Sequence, residues 1–258
     1  MFEKFKLSTQ NFPKSIEIPK NPLVCEGCAK GKMHSHSFPD NSVHTTCLFQ
    51  QIHSDLKKFA VLSYHCYKSY ISFIDDNSSH SWISHLKKKS DSLSAAMQFI
   101  AIVKNKHYMT IGKWMTNNGR EYIDQNYVKL LKHEGIDIQQ SIPAQLQMND
   151  RAQHFNHTIN EKAESMHHQA CLPDSWWEFC ILHVNYLYNC TPMWCLDWKT
   201  PKGYLEKVDS DISHLHILGC RAYIFIHNDV QANKLSPKSE LMTFLGFHDD
   251  HELNLMFM

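Results

Sequence analysis

The sequence predicts an α/β chain in which a run of antiparallel strands leads into alternating helices and strands, with a small β unit at the end. Three observations carry this. Short apolar and period-two runs follow one another at Phe49 to Leu56, Tyr70 to Ile74 and Trp82 to Leu86, with the turn-forming Asp75-Asp76-Asn77-Ser78-Ser79 between the last two. Beyond them apolar residues recur at steps of three and four, and strand character returns between the helical stretches. After Pro192 and Pro201 the composition shifts, and two short strand candidates close the chain.

Residues 1–46 are polar, are punctuated by Pro13, Pro19, Pro22 and Pro39, and hold one compact cluster, Cys25-Glu26-Gly27-Cys28. They read as a tail carrying half of a metal clip. Three successive antiparallel strands follow. Leu93, Ala96, Met97, Ile100 and Val103 then mark a helix with one buried stripe. Strand alternation over Tyr108 to Met115 stops at Asn117-Asn118-Gly119, which places Asn117 at a strand end. Tyr127, Leu130 and Leu131 indicate a short helix, and Gly135 to Gln140 a further strand. The clearest helix begins at Asp150, with Ala152, Phe155, Ile159, Ala163, Met166 and Ala170 on one side and Gln153, Asn156, Asn160 and Glu164 on the other. Pro173 starts another helix, from Asp174 to Asn189, rich in aromatic and aliphatic residues that include Trp176 and Trp177. Cys220 to Ile226 and Leu241 to Phe247 are the closing strands. The expected organisation is a tail at 1–46, a main domain at 47–192 and a small β domain at 193–258.

Composition bounds the class. With 258 residues, 43% hydrophobic and 20% charged, the chain can bury a sizeable core. No apolar run approaches the roughly 20 residues of a membrane helix, and Met1 to Lys6 has no apolar signal core, so an intracellular location, nucleus or cytoplasm, is expected. Nine cysteines, an odd number, argue for reduced thiols or a local metal site over a closed disulfide framework. Twenty-six basic residues balance 26 acidic ones, so no global positive field recruits nucleic acid, and any such binding must come from local patches. The 19 histidines would make the chain basic once they protonate below pH ~6.5.

Seven segments carry a family resemblance: Cys25 to Lys32, Ile52-His53-Ser54-Asp55-Leu56, Phe73-Ile74-Asp75-Asp76, Asn118-Gly119-Arg120-Glu121-Tyr122, Thr200-Pro201, Ser213-His214-Leu215 with Leu218 to Tyr223, and Phe244-Leu245-Gly246. In this order, from about residue 21 to residue 248, they resemble the integrase region of copia-type retrotransposons. The resemblance implies a ribonuclease H-like core, a five-stranded mixed sheet with flanking helices, followed by a small C-terminal β-barrel-like domain. It also implies Mg²⁺ or Mn²⁺ as cofactor, nucleic acid as partner, and metal ligation by acids at positions 55, 117 and 153.

Only Asp55 keeps its carboxylate. Asn117 and Gln153 occupy the other two positions, and an interval of 35 residues separates them, which is the family's spacing. Two-metal phosphoryl transfer holds two cations roughly 4 Å apart, so their mutual repulsion must be offset by anionic ligands. At about 4 Å and an effective dielectric near 20, each lost charge is worth around 4 kcal/mol. The expectation is a fold that survives and a strand-transfer chemistry that does not. Taken alone, Asn117-Asn118-Gly119 reads as a turn and Gln153 as a solvated helix residue; their joint spacing with Asp55 favours the relic. Asp75, Asp76, Glu121, Asp124 and Asp150 lie close in sequence as substitute ligands. Further departures from the family pattern are Asp150 and Arg120 at glycine positions, and Lys57-Lys58-Phe59 where a Gly-Pro turn is usual.

Cys25 and Cys28 have the spacing of half a zinc site; His34 and His36 follow at an unusual interval, and no histidine lies in residues 1–24 to supply the family's upstream pair. Nucleic-acid contacts are expected from Lys57, Lys58, Asn118, Arg120, Asn156 and Asn160, with Lys87, Lys88, Lys89, Lys104, Lys106 and Lys113 as further positive charges, giving weak, salt-sensitive, sequence-nonspecific binding. Two other readings stand beside the inactive integrase. One is a protein-interaction module that forms a homo-oligomer or pairs with intact integrase through Trp176-Trp177, and the other is a pseudogene-like product without a selected role.

Overall fold

A computed structural model describes residues 9–10, 45–116, 125–140, 150–227, 229, 231, 233, 237–248 and 253–257. Cys25, Cys28, Asn117, Asn118 and Arg120 lie outside these residues. The central element is a five-stranded mixed sheet of β1 (Gln51–Lys58), β2 (Ser69–Asp75), β3 (Ser81–Leu86), β4 (Lys113–Thr116) and β5 (Asp137–Gln140), in the order β3-β2-β1-β4-β5. The first three strands form an antiparallel meander, and β4 and β5 join parallel to β1. Parallel strands need crossover connections, and helices supply them. α1 (Ser92–His107) links β3 to β4, and α2 (Gln125–His133) links β4 to β5. α3 (Asp150–Ala170) and α4 (Trp177–Asn189) follow the sheet.

The sheet is covered on both faces. On one, Ile52, Ile71, Phe73 and Trp114 pack with Ala96, Phe99, Ile100 and Val103 of α1 and with Tyr127 and Leu131 of α2. On the other, Tyr70 and Ile74 pack with Ala152, Phe155, Ile159 and Ala163 of α3 and with Trp177, Ile181 and Val184 of α4. All seven residues of β2 are therefore buried, as expected of a strand flanked on both sides by helices.

This layering corrects three expectations. The predicted strand over Tyr108 to Met115 shrinks to Lys113–Thr116, because α1 runs on to His107 and ends in a left-handed cap at Tyr108, whose φ is 54° and whose side chain is 88% exposed. Met97 belongs to the outer side of α1; Phe99 takes its place in the stripe, stacked on Phe73 at 4.6 Å. The polar side assigned to the helix at Asp150 is not all solvated, since Asn156 and Asn160 are buried against the sheet. The reason is chemical: the inner face of the sheet carries Asp55 and the Tyr70 hydroxyl, which need polar partners.

Trp177 also has a structural role that the surface-docking reading did not assign it. Its ring stacks on Phe59 at 4.1 Å, and its indole N–H donates to the Val61 carbonyl at 3.0 Å. Next to it the buried Glu178 accepts from the Ser63 hydroxyl at 2.9 Å and from His65 Nδ1 at 2.8 Å, which fastens the β1–β2 connection onto α4.

The chain closes with α5 (Pro201–Glu206) and a three-stranded antiparallel sheet, β6 (Arg221–Phe225), β7 (Ser239–His248) and β8 (Leu253–Phe257), in the order β8-β7-β6. β8 carried no signal in the sequence reading. A short pairing of Thr9–Gln10 with Ser210–Asp211 runs parallel. The small sheet leans on α4 through Phe244 and Phe247, whose rings lie 5.7 and 5.8 Å from that of His183. Gly246 makes this contact possible. Its φ is +121°, and a Cβ there would meet the His183 Cβ at 3.0 Å.

Candidate functional site around Asp55

Asp55 lies on β1, the central strand, opposite Ser72 of β2, and it is 8% exposed. Alternation along β1 sends Ile52, Ser54 and Leu56 toward α1 and Asp55 toward α3. There the Asn156 side-chain amide donates to Asp55 Oδ2 at 3.1 Å. One helical turn further, Asn160 accepts from the Tyr70 hydroxyl at 3.4 Å. Burial pushes the Tyr70 phenol well above its ordinary range; the Asn160 hydrogen bond opposes this shift and the Asp55 carboxylate adds to it.

Gln153 precedes Asn156 by three positions on α3, and its side chain is exposed. β4 ends at Thr116, which pairs with Ser54, the residue before Asp55. The described part of β4 thus ends beside Asp55, and Asn117, the next residue, falls outside the described residues.

The neighbouring aspartates are engaged elsewhere. Asp75, with no exposed surface, accepts from the backbone N–H of Phe49 and of Ser78, each at 2.8 Å, and from the Ser78 hydroxyl at 2.7 Å. Burial raises its pKa in spite of those bonds. Asp76 accepts from Arg151 Nη1 at 2.6 Å and from the Thr45 N–H at 2.6 Å, and His53 Nε2 lies 3.3 Å away. Burial alone would raise the Asp76 pKa, but the His53 hydrogen bond, the Arg151 charge and the Thr45 N–H outweigh it and hold the carboxyl well below the usual range. Arg151 also donates to the Ser79 hydroxyl at 2.7 Å, tying the first turn of α3 to the β2–β3 hairpin and so setting where Gln153 and Asn156 fall. His53 and Arg151 were not singled out from sequence. An arginine opening a helix is ordinarily surface, and only the hairpin brought to it reveals the pairing.

Of the substitute ligands, Glu121 and Asp124 lie outside the described residues, and Asp150 opens α3. Among the described residues no group of three or more His, Cys, Asp or Glu side chains is placed to hold a metal ion. One carboxylate already bonded to an amide, with a neutral glutamine at the position that the resemblance assigns to the third ligand, does not fit a pair of divalent cations. What the arrangement does supply is a buried polar contact between β1 and α3, in which Asn156 meets the Asp55 carboxylate. Of the predicted nucleic-acid contacts, Asn156 and Asn160 face inward to Asp55 and Tyr70, whereas Lys57, Lys58, Lys87, Lys88 and Lys89 are exposed. Lys104 forms an ion pair with Glu134.

No protein-family model matches the chain. It is 30% identical over 227 residues, 88% of its length, to the retrovirus-related Pol polyprotein from transposon TNT 1-94 of Nicotiana tabacum, covering 17% of that relative. Over 238 residues, 92% of the chain, it is 25% identical to the retrovirus-related Pol polyprotein from transposon RE1 of Arabidopsis thaliana, covering 16% of it. The chain therefore spans about a sixth of the length of these curated relatives. Among solved structures it is similar to a chain of the simian T-cell lymphotropic virus intasome in complex with PP2A regulatory subunit B56 gamma. The TM-score is 0.53 at 12% identity, covering 90% of this chain and 84% of that one. The homologues bear out the relationship to retrotransposon polyproteins read from the motifs. The structural likeness and the strand order bear out the ribonuclease H-like fold.

Proposed function

We propose that this chain, a homologue of retrotransposon Pol polyproteins with an integrase-type core, is an integrase core that has lost strand transfer and keeps weak, sequence-nonspecific nucleic-acid binding. The observation that supports this most is local: the only retained acid of the three family positions, Asp55, is nearly buried and bonded to the Asn156 amide, while Gln153 on the same helix is neutral. A carboxylate accepting an amide N–H can still join a metal site, but it cannot alone neutralise two divalent cations. Asn117 completes the reading from sequence, since an amide keeps the shape of a ligand and removes its charge.

The test is a strand-transfer and 3′-end-processing assay on short duplex ends with Mn²⁺, run beside Asp55→Ala. The expected result is product at the level of Asp55→Ala in both reactions. Turnover in the parent chain that disappears in Asp55→Ala overturns the proposed loss.

A further inference from the structure

Five lysines meet at one end of the sheet. Lys58 ends β1, Lys68 precedes β2, and Lys87, Lys88 and Lys89 follow β3; with Leu56 and Ser69 they line a cavity of about 210 Å³. The register brings them together, because Lys58 pairs with Ser69 and Ser69 pairs with Leu86, so three strand ends stack side by side. All five side chains are exposed, and Lys87 rests over the Tyr67 ring at 5.6 Å. The nearby Asp91 carboxylate accepts from the Lys88 backbone N–H at 2.9 Å and from the Ser90 hydroxyl at 3.4 Å, so it is held by the turn.

Five exposed lysines whose stems line one cavity concentrate positive charge at this end of the sheet, and a polyanion is attracted to such a concentration. The chain has no net charge, so this concentration is local and not a by-product of a basic composition. Lysines suit phosphates as mobile point charges and read no base sequence. The pocket also stands apart from Asp55. Leu56, which lines it, packs with the core on the α1 side of the sheet, whereas Asp55 faces α3.

We propose that this lysine-lined cavity is an anchoring site for the phosphates of a nucleic-acid backbone, separate from the Asp55 carboxylate. The proposal rests on the nucleic-acid binding put forward above and assigns it a place. Neutralising three phosphate-contacting lysines should lower the slope of log affinity against log salt by about 2.7, so the parent loses roughly 40-fold more affinity than the variant between 50 and 200 mM salt.

The experiment is fluorescence anisotropy of the full chain on a 20-base-pair duplex across that salt range. It compares the parent, the triple variant Lys58→Gln, Lys87→Gln, Lys89→Gln, and a control of equal charge change elsewhere, Lys129→Gln, Lys132→Gln, Lys238→Gln. All six positions are exposed, and circular dichroism checks that each variant folds. Loss of salt slope in the pocket variant alone supports the site. Equal losses in both variants overturn the pocket while leaving nucleic-acid binding intact. Absence of binding by the parent overturns both. A polyglutamate competitor that displaces the duplex as well as heparin does, weight for weight, overturns a phosphate occupant in favour of an acidic protein.

Discussion

Restoring both acids in one chain, with Asn117→Asp and Gln153→Glu, is expected to raise Mn²⁺ affinity by about 100-fold over the parent, read by isothermal titration calorimetry. At about 4 Å with an effective dielectric near 20, one restored charge is worth around 4 kcal/mol. Solvent around the exposed Gln153 position screens much of that, so about 1.4 kcal/mol per restored charge is retained, or tenfold each. Gln153→Glu alone should therefore give about tenfold. The new carboxylate would enter one helical turn before Asn156, which already reaches Asp55, so helix α3 needs no shift to present it. A double variant that binds Mn²⁺ no better than the parent would show that positions 117 and 153 do not share a site with Asp55.

Acid should destabilise the chain in two stages, the first setting in near pH ~6.5, well above the range in which carboxylates titrate, and running to about pH 4. Burial lowers the pKa of His183 to about 4, and burial together with the charge of His65 lowers that of His85 to about 4. His183 is 2% exposed and sits against Phe244 and Phe247, and His85 lies beside Tyr67 and Trp177; among the described residues neither His183 Nδ1 nor His85 Nε2 has a hydrogen-bond partner. Both fold neutral. In the unfolded chain they protonate near pH 6.5, so the unfolded state binds more protons below that value and stability falls with pH until about pH 4. Holding a histidine neutral down to about pH 4 instead of 6.5 corresponds to roughly 3 kcal/mol each, a large part of an ordinary domain's stability. The second stage lies below pH ~4, where the unfolded chain protonates its carboxyls while Asp76, held low by His53 and Arg151, still resists. Urea unfolding at pH 7.5 and 5.0 measures the first stage. His183→Gln should flatten the difference by about half, and equal midpoints for the parent at the two pH values would contradict the assignment.

How far the fold could be read from sequence depended on whether a residue's neighbour was local. The strands of the meander alternate or run apolar on their own, and α3 states its period plainly through Ala152, Phe155, Ile159 and Ala163, so both were visible. The segment after α1 misled because Met109 and Ile111 happen to alternate with Tyr108 and Thr110, while the left-handed cap at Tyr108 gives no pattern in apolar content. Met97 misled through spacing alone; which side of α1 is buried is decided by the aromatic partners Phe73 and Trp114 from other strands.

At the proposed site, the place of Asp55 on a strand could be read from the local pattern, whereas the 35-residue interval rests on Asn117, which lies outside the described residues. The Asn156 amide bonded to Asp55 was not, nor was the Asp76, Arg151 and His53 cluster, since each joins residues far apart in sequence. Lys68 shows the same limit. It lies ten positions from Lys58, and only the β1–β2 register makes the two part of one cavity.

The central claim, an integrase-type core whose Asp55 position lacks the charge to hold metal, is tested most directly by titrating Mn²⁺ against the parent chain and following the six-line signal of the free ion by electron paramagnetic resonance. The account predicts the same free-ion signal for the parent and for Asp55→Ala through millimolar Mn²⁺. A signal depleted by the parent and restored by Asp55→Ala would contradict it.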